Sequence, residues 1–257
     1  MRAIIIGAGR GSRLNALTDD QPKCYAPIGG RRILDWTLDA FGGAGLSDSG
    51  EPVFIGGYRI DQIRHDYPNM TFCHNADWQS NNILISLFYA EQYMADGFVC
   101  AYCDILFRDT VVRHAIEHPG DIVLCVDTHW RDRYTDRTQH PEDDAEKVIL
   151  DGDRVKHIHR DIKPEDADGE FIGVARSNAA GARLFREHYH RIHGRFAGKP
   201  WREAKVFEKA YLILLFQEMI ECGVDIRMVA TAGDYMEIDT EEDYALANRN
   251  WPAKSRS

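Results

Sequence analysis

The sequence predicts an α/β fold with a mainly parallel, mixed central sheet flanked by helices. Three observations carry that prediction. Apolar strand-like runs recur along the 257 residues, helical patterns fall between several of them, and a glycine-rich loop follows the first run directly. The strand-like runs are 3–6, 52–55, 71–73, 98–102, 122–126, 147–150, 171–175 and 226–229. A helix is predicted over 32–41, where Ile33, Leu34, Thr37, Leu38 and Phe41 share one face. A second is predicted over 82–94 through Ile83, Leu87, Ala90 and Met94, and a third over 109–118, stopped by Pro119 and Gly120. A fourth runs over 207–222 and ends at Gly223, a residue type favoured just past a helix C-terminus. There is no internal repeat and no linker rich enough to split the chain, so one domain over 1–251 is expected, with a polar tail at 252–257.

Composition narrows the function classes. The net charge of -10 and pI near 5.5 argue against a nucleic-acid binder, which would carry a basic surplus. No apolar stretch reaches membrane-spanning length, and residues 3–6 are too short for a signal-peptide core. The six cysteines fall mostly in apolar segments of a chain large enough to need no disulfide framework, so a reduced, cytoplasmic protein is expected. Cys100 and Cys103 have redox or zinc spacing, but they lie on a predicted strand with no second pair, and read as core thiols. His188, His190 and His193 lie in a helical pattern, where i and i+2 diverge, so a shared metal is not expected.

The glycine loop after the first strand reads Gly7-Ala8-Gly9-Arg10-Gly11-Ser12-Arg13. Ser12 stands where both the dinucleotide fingerprint and the Walker loop need a glycine, so neither motif fits. What remains is a set of glycines that let backbone N–H groups approach phosphate oxygens, with Arg13 and Lys23 as cations nearby.

The stretch "IGAGRGSRLNALT", followed by Pro22-Lys23, resembles the signature of the nucleotidyltransferase superfamily, whose usual form is "LAAGxGxRLxPLT" and then "PK". Gly7 and Ala16 depart from it, and neither departure removes a charge. The resemblance implies a single Rossmann-like nucleotidyltransferase (GT-A-like) domain. It implies that Ala8, Gly9 and Gly11 bring backbone to the nucleotide phosphates, while Arg13 and Lys23 neutralise the triphosphate. The segments "HNADWQSNNILISLFYA" and "AYCDILF" are similar to those of phosphocholine cytidylyltransferases. The segments "GEFIGVARSN" and "GDYMEIDTEEDYALA" resemble cytidylyltransferases of small phosphates and phosphonates, including phosphoglutamine and aminoethylphosphonate types. The implied partners are CTP and a small phosphate- or phosphonate-bearing acceptor. The alternatives are a sugar-1-phosphate nucleotidyltransferase using another NTP, and a catalytically silent nucleotide-binding regulator. The oligomeric state stays open, a homodimer included.

The remaining candidates follow from this resemblance and from local chemistry. Asp104 ends the run 99–103, at the strand edge where open α/β sheets place ligands, and Asp239 ends "YMEID". Together they are the expected Mg²⁺ ligands, with Glu237 beside them. The competing reading of Asp239 is a helix start, since Thr240 to Asp243 form a capping box; Asp239 can turn inward while the others cap. Gly57 is expected to offer its backbone to a flat base. Asn81, Asn82 and Ser86 are expected to read its edge, with one asparagine serving as a helix cap. On the acceptor side, Lys147 and Arg160 supply cations, Glu170 matches the family's G-E-x-x-G, and Glu237 is a second acceptor candidate. The basic-aromatic stretch 129–137 reads mainly as a solvated loop, with a lid over the acceptor as the alternative.

Overall fold

The computed structural model describes residues 1–46, 50–135, 137–139, 141–231 and 233–251; the expected tail at 252–257 lies outside the described residues. Strand β1 (Arg2–Gly7) is buried along nearly all its length. Successive side chains of a strand point to opposite faces. Ile4 and Ile6 accordingly enter one core and Ala3 and Ile5 the other. After β1 the chain makes short 3-10 turns at Ser12–Thr18 and Lys23–Tyr25, then the hairpin of β2 (Pro27–Ile28) and β3 (Arg31–Arg32), then helix α1 (Ile33–Gly43). Next come β4 (Val53–Gly56), α2 (Ile60–Asp66), β5 (Thr71–His74), α3 (Ile83–Phe88), β6 (Phe98–Tyr102), β7 (Ile105–Phe107) and α4 (Asp109–Glu117). The second half holds β8 (Ile122–Asp127), α5 (Trp130–Tyr134), β9 (Lys147–Asp151), β10 (Arg154–His159), β11 (Gly169–Ser177) and α6 (Ala179–Phe196). It closes with α7 (Leu212–Glu221), β12 (Ile226–Thr231), β13 (Tyr235–Glu237) and α8 (Glu241–Asn250).

Among the described residues, nine strands form one sheet in the order β5-β4-β1-β6-β11-β8-β12-β10-β9. The block β5-β4-β1-β6 is parallel, as is the pair β8–β12, while β11, β10 and β9 run antiparallel to their neighbours. One face packs α3, α6 and α7 through residues such as Leu87, Phe185 and Phe216, and the other packs α1 and α4 through Phe41 and Val112. A third, smaller core of Leu14, Ile28, Leu106, Ile238 and Trp251 seats α8 against the loops that follow β1. β13 pairs with β7, and Ile238 N donates to Asp104 O at 3.0 Å, so the chain's last strand arrives beside the end of β6.

Two predicted helices are shorter than their apolar patterns. The pattern 82–94 becomes α3 and then a separate 3-10 turn at Glu91–Tyr93. That break points Glu91 at Arg186 (2.8 Å) and His190 (2.7 Å) of α6. The pattern 207–222 begins as a 3-10 turn at Phe207–Lys209, and α7 starts only at Leu212. The diverted turn holds the loop before α3: Asn82 N donates to Glu208 O at 2.8 Å and Lys209 Nζ to Gln79 O at 2.7 Å. The stretch 129–137 is a correction. Within it lies the short helix α5, with Trp130 and Tyr134 buried rather than solvated. The cause is the pairing of Arg133 with the buried carboxylates of Asp127 and Glu170, which draws the segment inward.

Candidate functional site

The glycine loop lies at the carboxyl end of β1, in the middle of the parallel block. Gly11 sits at φ 69°, in the left-handed region, and a Cβ there would come within 2.5 Å of the Lys23 side chain. Glycine is therefore required twice at this position, for the turn and for the passage of the lysine. Thr18 Oγ1 donates to Gly11 O at 3.1 Å and closes the loop from behind.

That passage delivers Lys23 to the end of β6. Its ammonium donates to Asp104 Oδ2 at 2.8 Å and to Asp239 Oδ1, with Lys23 and Asp239 both buried. Burial by itself would lower the lysine's pKa, but the two aspartates outweigh it and the net shift is upward. Arg13, more exposed, donates to the other Asp239 oxygen at 2.6 Å and reaches Asp144 at 3.4 Å. Four residues from three remote parts of the sequence thus converge on one point, and the capping box works beside them: Asp243 N donates to Thr240 Oγ1 at 3.2 Å and Thr240 N to Asp243 Oδ2 at 2.9 Å. Asp239 turns inward while its neighbours cap α8. Glu237 stands on β13 opposite Ile105, and burial, then the charges of Asp239, Glu170 and Asp104, push its carboxyl well up. Asp104 and Asp239 converge closely enough to share one cation. Two hard carboxylates at one point are a donor set that suits a divalent cation such as Mg²⁺.

A cavity of about 190 Å³ opens beside this cluster. Ala8, Gly9, Gly11 and Lys23 form one wall, and Trp78, Asn81, Asn82, Ser86 and Tyr102 the other. Of the two asparagines, Asn82 is the helix cap: its Oδ1 accepts from Ile83 N at 2.8 Å. Asn81 is held by Asn75 and Ser86 in a buried hydrogen-bonded group. Gly57 differs from expectation. Trp78 lies over it, so close that a Cβ at Gly57 would meet the ring at 2.6 Å, and Gly57 lines a separate hollow with Arg59 and His74. The flat surface facing the glycine-loop cavity is therefore Trp78, not a glycine backbone.

The acceptor-side candidates form a second polar group behind Tyr102. Gly173, at φ 79° in a bulge of β11, leaves space for the Tyr102 ring. The Tyr102 hydroxyl donates to Glu146 at 3.2 Å, Arg160 donates to the other Glu146 oxygen at 3.2 Å, and the Arg160 guanidinium lies 4.0 Å over the Tyr211 ring. Burial pushes the Glu146 carboxyl up and Arg160 opposes it; the balance is upward. Glu170 accepts from Tyr134 at 3.0 Å and from Arg133. Lys147 turns away from the cavity. It is buried, and its ammonium donates to the carbonyls of Glu142 (3.1 Å) and Ala145 (3.3 Å) in the loop before β9. Burial lowers its pKa, with Asp143 and Glu170 pulling the other way.

Residue-type reasoning passed over Asn75, Trp78, Tyr102 and Glu146. Asn75, Trp78 and Tyr102 lay in quoted segments and Glu146 beside Lys147, but none carries a motif position. The histidines diverge as expected: His190 meets Glu91, His193 stacks on Tyr189 and His188 lies beside Arg191. The cysteines are free, and no helix among the described residues is long and apolar enough to cross a membrane.

Comparison with known proteins shows what the chain resembles. The CTP:phosphoglutamine cytidylyltransferase of Campylobacter jejuni is 25% identical over 253 residues, covering 95% of this chain and 97% of that one. The CMP-5'-(3-aminopropyl)phosphonate synthase of Streptomyces rubellomurinus is 28% identical over 125 residues, 46% of this chain and 19% of its own length. Among solved structures, the CTP:phosphocholine cytidylyltransferase of Streptococcus pneumoniae superposes with a TM-score of 0.69 at 17% identity, covering 96% of this chain and 97% of that one. The inositol-1-phosphate CTP transferase of T. maritima gives 0.68 at 20% identity, with 96% and 95% covered. These two likenesses establish the nucleotidyltransferase fold. Residues 3–170, well over half of the chain, match the MobA-like NTP transferase domain family, and the protein belongs to that family of nucleotidyltransferases.

Proposed function

We propose that this protein is a cytidylyltransferase that joins CMP from CTP to a small phosphate- or phosphonate-bearing acceptor and releases pyrophosphate. The observation that carries the reading is the Lys23 ammonium shared by Asp104 and Asp239 at the mouth of the glycine-loop cavity. CTP as donor is supported by the relatives named above, whose stated acceptors are all small and carry phosphorus.

In the proposed reaction an acceptor oxygen attacks the α-phosphorus of CTP. One P–O bond forms, the bond to the β-phosphate bridging oxygen breaks, and pyrophosphate leaves with that electron pair. The backbone of Ala8, Gly9 and Gly11 binds the triphosphate. Arg13 and Lys23 hold positive charge where negative charge builds up, which is the effect that dominates phosphoryl-type transfer. Asp104 and Asp239 would hold Mg²⁺, and the ion would supply neutralisation of the phosphate charge. Trp78 and Asn81 face the base. Arg160, held flat between Glu146 and Tyr211, orients the acceptor's anionic end. Positioning and neutralisation suffice, and no protein nucleophile is involved.

The test is an NTP panel crossed with phosphate and phosphonate acceptors, with CMP conjugates detected by mass and pyrophosphate release followed in parallel. Asp104→Asn and Asp239→Asn are each expected to lower turnover by about 100-fold or more while the far-UV spectrum is kept. Near-wild-type turnover in either variant would overturn the ligand assignment, and a preference for UTP or GTP would overturn the donor assignment.

A further inference from the structure

Asn75 has no place in the mechanism above. It is fully buried at the end of β5 and is not among the residues lining the nucleotide cavity. Yet its side chain makes a reciprocal amide pair with Asn81, which does line it. Asn75 Nδ2 donates to Asn81 Oδ1 at 2.8 Å, and Asn81 Nδ2 donates back to Asn75 Oδ1 at 2.9 Å. The second Asn75 proton goes to Ser86 Oγ at 2.9 Å, and the Asn75 backbone N–H is tied to Gly56 O of β4 at 2.8 Å.

An asparagine amide has nearly the same shape either way round, so its neighbours decide which end meets a ligand. In this pair, flipping one amide alone sets N–H against N–H and oxygen against oxygen in a buried place, where unmet polar groups are expensive. Asn75 spends both its amide protons inside the group. Asn81 spends one, and keeps one N–H. Cytosine presents bare acceptors at N3 and O2, whereas uracil carries a hydrogen on N3. An N–H held toward the base favours the first over the second, and an amide turned about favours the reverse.

We infer that Asn75 is a positioning residue for base recognition: it locks the Asn81 amide with its N–H available to the base, and so sets the preference for a cytosine-type acceptor edge. This rests on the cytidylyltransferase reading above. Asn75→Asp keeps the size and removes both donors, so either way round the Asn81 amide sets its Oδ1 against a carboxylate oxygen and its orientation is no longer fixed. The KM for CTP is expected to rise about 10-fold or more and the CTP-over-UTP ratio of kcat/KM to fall by a similar factor, with kcat at saturating CTP within about 2-fold. A merely structural role would instead degrade kcat and the KM values for both substrates together.

The wild-type protein is first assayed with all four NTPs. If it prefers another NTP, the donor reading fails, and the Asn75 inference is then judged by the KM for that preferred NTP. If it prefers CTP and Asn75→Asp keeps wild-type KM and selectivity, or loses kcat and both KM values in step, the inference is overturned. Should Asn75→Asp not fold, Asn75→Ser carries the same readouts. An NMR measurement on the wild-type protein needs no variant at all. CTP without acceptor is expected to shift the Asn81 side-chain amide signals while the Asn75 amide protons stay protected from exchange; freely exchanging Asn75 protons overturn the inference.

Discussion

Replacing Lys23 with methionine separates the electrostatics of this site from its chemistry. In the structure one buried ammonium serves two carboxylates, at 2.8 Å from Asp104 and in contact with Asp239. Removing one partner of a buried ion pair costs about 3–5 kcal/mol, because the other charge is left uncompensated. Here Asp104 keeps some contact with solvent, its side chain 26% exposed, and Arg13 still holds Asp239 at 2.6 Å. The loss should therefore fall toward the lower figure. For a chain of this size each kcal/mol moves the melting temperature by about 2–4 °C, so Lys23→Met in EDTA should melt about 6–12 °C below wild type. The same reasoning predicts the response to Mg²⁺. A ligand stabilises the state it binds. In the wild type the ion competes with an ammonium already seated between the carboxylates, and in Lys23→Met it does not. Mg²⁺ should therefore raise the melting temperature of the variant by several degrees more than that of the wild type, as read by calorimetry with and without the ion. Turnover should fall by about 100-fold or more in the same variant, since methionine restores no charge at the phosphates. A variant that melts with the wild type in EDTA, or that gains no more from Mg²⁺, would refute the idea that Lys23 balances these two carboxylates.

Two further substitutions test the two sides of the cavity. Trp78→Ala removes the ring that covers Gly57 and faces the cavity. Base–aromatic stacking is worth about 1–3 kcal/mol, so the KM for CTP should rise about 5-fold to 100-fold with the acceptor KM unmoved, and an unchanged KM for CTP would remove Trp78 from base binding. Arg160→Lys keeps the charge and loses the planar fork seated between Glu146 and Tyr211. The acceptor KM should rise about 10-fold while the KM for CTP holds, and the reverse pattern in steady-state kinetics would place Arg160 on the donor side instead.

The convergence of the glycine loop, Arg13 and Lys23 was legible in the sequence because local rules govern it, whereas Gly57 was misplaced because Trp78 covers it. The strand, the left-handed Gly11 and the two cations occur within a few turns of chain, and a phosphate loop has few ways to be built. Asp104 was legible from its place at the end of an apolar strand. Asp239 needed a finer distinction, since a capping box beside it explained the acidic run equally well; the structure uses Asp243 for the cap. The acceptor half was harder because tertiary contacts set it. The direction of the Lys147 ammonium is decided by carbonyls in the loop before β9, and nothing in the local pattern announces them. The fold of 129–137 depends on Asp127 and Glu170, which reach Arg133 from different strands. The early end of α3 follows from what Glu91 meets on α6, a partner about a hundred residues away in the chain. A hydrophobic period indicates which face is buried. It does not indicate where a charged side chain in that face finds its partner.

Charge explains why the donor site is arranged as a closed cluster and not as an open basic pocket. Arg13 and Lys23 are set against Asp104 and Asp239, so the four groups cancel where the proposed function would bring the triphosphate. A polyanion gains little from such a cluster on its own. Under the proposed function, Asp104 and Asp239 would hold the metal and leave Arg13 and Lys23 to the phosphate oxygens. The pairing keeps the buried lysine and carboxylates compensated before substrate binds, which an unpaired basic pocket would not do. Tyr102 carries the pattern further: it lines the glycine-loop cavity and donates to Glu146, which in turn holds Arg160. The two polar groups are in this way joined through one hydroxyl, at the strand bulge where Gly173 gives the ring its room.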